Sequence, residues 1–208
     1  MRASAEIIGN LVLVAVVVML GLAFLSLFVS QYQSVAAERL KVMEVNKIKV
    51  NLDMGVIYSK RNNTHLVYLV EFVNIGEETS FYIAPAWGKL SSNYAVLGQP
   101  ALNAYLVRAV SHLSVEQCPA TVHCIRAQGR VNPDRIFTEG EISLAELGSR
   151  RAEAPLVRID LPTRGSKIVL LTYRLSDRSA GESPLVLLLA SVNNKYYLAS
   201  VRELPMGE

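Results

Sequence analysis

The stretch Ile7–Val29, IIGNLVLVAVVVMLGLAFLSLFV, decides how the rest of this 208-residue chain is read. Gly9, Asn10, Gly21 and Ser26 are its only interruptions, and no ionisable side chain occurs in it. At about 1.5 Å rise per residue, roughly 20 apolar residues match the ~30 Å hydrocarbon layer of a bilayer. Lipid offers no hydrogen bonds to the backbone, so a single segment placed there must be helical. A secretory signal peptide is the rival reading, but its apolar core is shorter, about 7–15 residues, and ends at a small-residue cleavage site. Ser30-Gln31-Tyr32-Gln33-Ser34 follows here, with Ala36 and Ala37 beyond, and a run of this length favours a retained helix.

Working outward, Tyr32, Val35, Ala36, Leu40 and Met43 recur at helical spacing with Glu38, Arg39 and Lys41 between them. No Pro or Gly stands between Leu22 and Val45, so the spacing predicts one helix occupying residues 1–45. A continuous helix of that size is on the order of 60 Å long. Two uses fit it: a stalk lifting a domain off the lipid, or a helical core shared by several copies. After Asn46 the period changes to two, since Ile48, Val50 and Leu52 alternate with Lys49, Asn51 and Asp53, which predicts a half-buried strand. Gly55–Tyr58 and His65–Val73 flank a polar hairpin loop, Ser59–Thr64. Thr79–Ala84, ended by Pro85, and then Leu156–Leu161, Lys167–Leu175, Pro184–Val192 and Tyr196–Val201 complete the series, with a short turn at Asn193-Asn194-Lys195. The predicted class is therefore α+β: a long N-terminal helix, then an all-β, immunoglobulin-like sandwich over 46–208. Residues 87–151 read as a loop-rich elaboration of that sandwich, and Leu102–Leu113 fits a helical and an alternating pattern about equally.

The composition excludes several classes. A formal charge of +3, with Lys and Arg scattered rather than striped beside aromatics, gives nucleic acid no footprint. No nucleophile elbow, phosphate-cradling glycine loop or His-Glu metal helix is present and the acidic residues are dispersed, so neither catalysis nor a cofactor is expected. Cys118 and Cys124 are expected to close a small disulfide loop in an exported domain, the alternatives being free thiols or a metal site with His112 and His123. His65 has no acidic or cysteine companion in sequence and reads as a strand-edge residue. Asn62-Asn63-Thr64 is an N-glycosylation sequon in the predicted hairpin loop.

The opening Arg2-Ala3-Ser4-Ala5-Glu6-Ile7-Ile8-Gly9, with the Leu/Val/Ala run behind it, resembles the class III signal sequence of archaeal type IV pilins and archaellins. The resemblance covers about 45 residues. It implies that a prepilin peptidase removes the leader at Ala3-Ser4, with Ala5-Glu6 as the alternative junction. It also implies that an assembly ATPase and its platform draw the subunits from the membrane, and that the kept helix joins copies of itself in a filament whose β-sandwiches face outward. Gly9, Ala15, Gly21 and Ala23 are then the positions that let helices approach closely.

Positive-inside counting of Arg39, Lys41, Lys47 and Lys49 against Arg2 favours a cytoplasmic C-terminus, yet long domains translocate largely regardless of charge. The expectation is a single-pass precursor with its C-terminal domain outside, destined for an extracellular surface filament. A permanently anchored β-sandwich accessory, such as an archaellum stator-like or surface-binding protein, is the first alternative. A membrane-tethered enzyme is the second.

Overall fold

The computed structural model describes residues 2–92, 94–107, 124–126, 129–150 and 152–206. It is an α+β chain in two compact units, Met1–Leu40 and Lys41–Glu208. One helix, α1, runs Arg2–Asn51. It passes the expected end at residue 45 by six residues and absorbs the segment read as a strand. The reason lies in spacing: Lys41, Val45, Ile48 and Leu52 stand at i, i+4, i+7 and i+11, one helical stripe, and all four are buried. Ile48 is 1% exposed whereas Val50, its partner in the alternating reading, is 71% exposed. No Gly or Pro between Val45 and Asn51 offers the backbone an earlier stop. The strand begins only at Leu52, and Ile75 N–H closes on the Asn51 carbonyl at 2.8 Å.

Among the described residues twelve strands follow: β1 Leu52–Arg61, β2 His65–Asn74, β3 Thr79–Leu90, β4 Ala95–Pro100, β5 Asn103–Val107, β6 Cys124–Arg126, β7 Gly129–Val131, β8 Ile136–Phe137, β9 Ala154–Leu161, β10 Ser166–Arg174, β11 Ser183–Val192 and β12 Lys195–Glu203. One sheet has the order β1-β2-β10-β5-β6, the other β7-β9-β3-β11-β12-β8 with β4 on β3. Among the described residues all strand pairings are antiparallel except the short β8–β12 pairing. Stripped to β1-β2-β10-β5 facing β4-β3-β11-β12, this is the strand order of an immunoglobulin-like sandwich. Asn193 and Asn194, with φ of 51° and 62°, make the two-residue turn between β11 and β12 in the left-handed conformations that asparagine tolerates.

Between the sheets lie Tyr68, Val70 and Phe72 of β2, Phe81, Ile83 and Trp87 of β3, and Val169, Leu171 and Tyr173 of β10. Trp87 is fully buried, donates Nε1–H to the Arg174 carbonyl at 3.1 Å and meets the Tyr173 ring edge-to-face at 5.5 Å. Such ring pairs add about 0.5–1.5 kcal/mol beyond their buried area. The stripe Val45, Ile48 and Leu52 belongs to the same core, so the last turns of α1 are part of the sandwich.

Two sequence expectations are corrected. Pro85 does not end a strand, because β3 runs through it: pairing with β9 stops at Ile83, pairing with β4 resumes at Ala86, and the proline stands in the gap where no ladder N–H is needed. Its carbonyl accepts the Ala101 N–H at 3.0 Å. The 87–151 region is woven into both sheets rather than hung upon them, supplying β4 to β8. Ala95, Leu97, Val131, Ile136 and Leu144 pack with Leu185, Leu187 and Leu189 as a second core on the outer face of the larger sheet. Within it Asn103–Val107 is a strand, paired with Ile168–Thr172 of β10, and the remainder of the ambiguous stretch, 108–113, lies outside the described residues.

Candidate functional site

The chemistry of α1 is the most distinctive feature of the molecule. An 18-residue window of it has a mean hydropathy of 3.0 and none of that window is buried. Leu11, Met19, Phe24 and Phe28 each keep more than 60% of their surface exposed, as do many neighbours around the helix. Covering any such side chain contributes about 1.5–3 kcal/mol, and this driving force is what lipid or other helices can supply. Gly21 would meet nothing within 4 Å if it carried a Cβ, and Ala15 and Ala23 are exposed, so these positions leave shallow open ground on the helix surface. Gly9, and the junction residues Ala3, Ser4, Ala5 and Glu6, lie on the helical backbone of α1, with side chains outside the described residues.

Where α1 joins the sandwich, three lysines fix it. Lys41 is nearly buried; its Nζ donates to the Glu139 carbonyl at 3.4 Å, lies 3.6 Å from the Glu141 carboxylate and 5.5 Å from the centre of the Tyr197 ring. The Tyr197 hydroxyl in turn donates to Glu141 at 3.4 Å. Lys49 pairs with the Glu139 carboxylate, and Lys47 donates to the Glu78 carbonyl. This seat could be found from sequence only through the i, i+4, i+7 stripe starting at Lys41, which period-two reading obscured.

Asn62 caps the β1–β2 hairpin loop. Its Oδ1 accepts from the Thr64 N–H at 2.9 Å, the Thr64 hydroxyl at 3.1 Å and the His65 N–H at 2.6 Å. The sequon is thus a local Asx turn with Asn63 and Thr64 exposed. His65 opens β2 as a half-buried residue, its Nδ1 2.7 Å from the Thr64 hydroxyl. Cys118, His112 and His123 lie outside the described residues; Cys124 is described only as backbone of β6.

The shifted titrations belong to packing. Burial pushes the Tyr68 hydroxyl up to about 12 and the Tyr173 hydroxyl well above its ordinary value. Each donates to a carbonyl, that of Pro205 at 2.6 Å and that of Leu185 at 2.8 Å. Asp160 on β9 is held low by the Ser80 hydroxyl and the Arg158 guanidinium. Among the described residues these groups are dispersed and do not converge on one cavity.

Two of the concavities on the sandwich unit are lined by charged side chains of both signs. One, of about 930 Å³, lies beside Lys49, Glu139 and the β12 residues Leu198–Val201. The other, of about 550 Å³, is lined by Arg130, Arg150 and Arg178 together with Glu153 and Asp177. Sequence reasoning missed the second, since its arginines come from β7, the segment before β9 and the β10–β11 connection, and no local motif links them. No known protein-family model matches the chain, and no curated protein sequence matches it either.

Proposed function

We infer that the chain is a structural subunit of an extracellular type IV pilus-like or archaellum-like filament, polymerising through α1. The observation that carries this reading is the exposed apolar surface of α1: a helix apolar all round is stable only when something apolar surrounds it. Lipid serves the precursor, and the helices of neighbouring copies serve the fibre. Head-to-tail contact of identical subunits that does not close on itself generates a helical polymer. The opening Arg2–Gly9 supports the same reading, with removal of the leader after Ala3, or after Ala5, releasing the helix for assembly. In this account the sandwich is outside the cell and the chain performs no catalysis.

Mass spectrometry of the N-terminus of protein taken from its native surface tests this. A mature chain starting at Ser4 or Glu6, recovered in sheared fibres, is the expected result. A chain recovered only in membranes and starting at Met1 overturns the filament in favour of a permanent anchor.

A further inference from the structure

We propose that the 550 Å³ cleft of the sandwich binds the acidic groups of an anionic polysaccharide, with Arg130, Arg150 and Arg178 as its recognition residues. Three guanidiniums line one concavity, and among the described residues none of them is ion-paired to a carboxylate, although Glu153 and Asp177 line the same cleft. Among the described residues that line it, the cleft carries three guanidiniums against two carboxylates, an excess of positive charge that favours an incoming anion.

Two of the three arginines, Arg150 and Arg178, are held by hydrogen bonds, and Arg130 is presented from β7. Arg178 Nε donates to the Glu182 carbonyl at 2.8 Å, and the nearly buried Glu182 accepts the Ser179 N–H at 2.9 Å, which fixes the turn. Arg150 Nη2 donates to the Ser179 hydroxyl at 3.3 Å, and its backbone N–H is tied to the Leu97 carbonyl at 2.9 Å. Each guanidinium keeps donors free for the planar two-point hydrogen bonding that carboxylate and sulfate groups accept.

The remaining lining selects the carrier. Glu153 and Asp177 are acceptors suited to sugar hydroxyls. Among the described residues no aromatic ring lines the cleft, so they offer nucleobases no stacking platform. An acidic sugar presents one or two anionic groups among several hydroxyls, which matches this mixture. The inference concerns the sandwich alone and stands whether α1 ends in a fibre or in lipid.

The test uses the full chain in detergent, at low salt, against heparin, hyaluronate, inorganic sulfate and duplex DNA. Binding to at least one of the two polysaccharides is expected, weakened roughly tenfold in R130Q/R150Q/R178Q and less than about twofold in the control K60Q/R61Q, which removes two cations elsewhere. Unchanged thermal unfolding of the triple variant establishes that it is folded; a variant that unfolds is replaced by the three single substitutions, each expected to weaken binding in part. Failure of the wild-type chain to bind either polysaccharide, equal loss in the control, or DNA binding as tight and as arginine-dependent as polysaccharide binding would each overturn the proposal.

Discussion

Lys41 carries a charge into a place where charges are rarely tolerated, and its surroundings explain how. A carbonyl, a carboxylate and a ring face share its ammonium, while its four-carbon stem fills space under the sandwich. Lys41→Ala is expected to destabilise the unit by about 1–3 kcal/mol, and Lys41→Met, which keeps the stem, by distinctly less. Thermal unfolding of both variants decides, and equal losses contradict the role given to packing. The buried tyrosines make a pH prediction. Tyr68 ionises near 12 in the fold but near 10.0 when unfolded, so above pH 10 the unfolded chain releases protons that the folded chain retains. Stability therefore falls as pH rises between about 10 and 12, and absorbance titration should show Tyr68 and Tyr173 ionising together with unfolding rather than before it. At the sequon, protein from the native surface is expected to carry extra mass on Asn62 that N62Q and T64A both lose; an unmodified mass contradicts an exported, modified loop.

The elements show how one sequence can satisfy two periods. Between Lys47 and Leu52 every second residue is apolar, yet Ile48 and Leu52 also continue the helical stripe from Lys41 and Val45. Which period wins was decided by the buried partners that the stripe finds in the sandwich, a tertiary effect that local propensity does not contain. Ile48→Ala is accordingly expected to cost about 2–4 kcal/mol and Val50→Ala no more than about 0.5 kcal/mol in denaturant unfolding. Comparable costs would restore the strand reading. The β1–β2 hairpin, the four C-terminal strands and the Asn193-Asn194 turn were all legible, because alternation and turn residues there agree with the fold. Pro85 misled because the rule that proline ends a strand assumes a partner needing its N–H, and β3 changes partners at that residue. Arg130, Arg150 and Arg178 could not be linked in advance, since only the completed topology gathers them.

Taken as a whole, the molecule joins a sandwich that closes its own core to a helix whose apolar surface is left open. The first half of that description was readable as fold class, the second as hydropathy, and both were visible in composition that differs sharply between the first thirty residues and the rest. Electron cryomicroscopy of surface fibres sheared from cells that make this protein tests the central claim most directly. The account predicts fibres whose axis is a bundle of α1 helices from many copies, with sandwiches on the outside. Fibres without this chain, while the chain stays dispersed in the membrane with α1 surrounded by lipid, would contradict it.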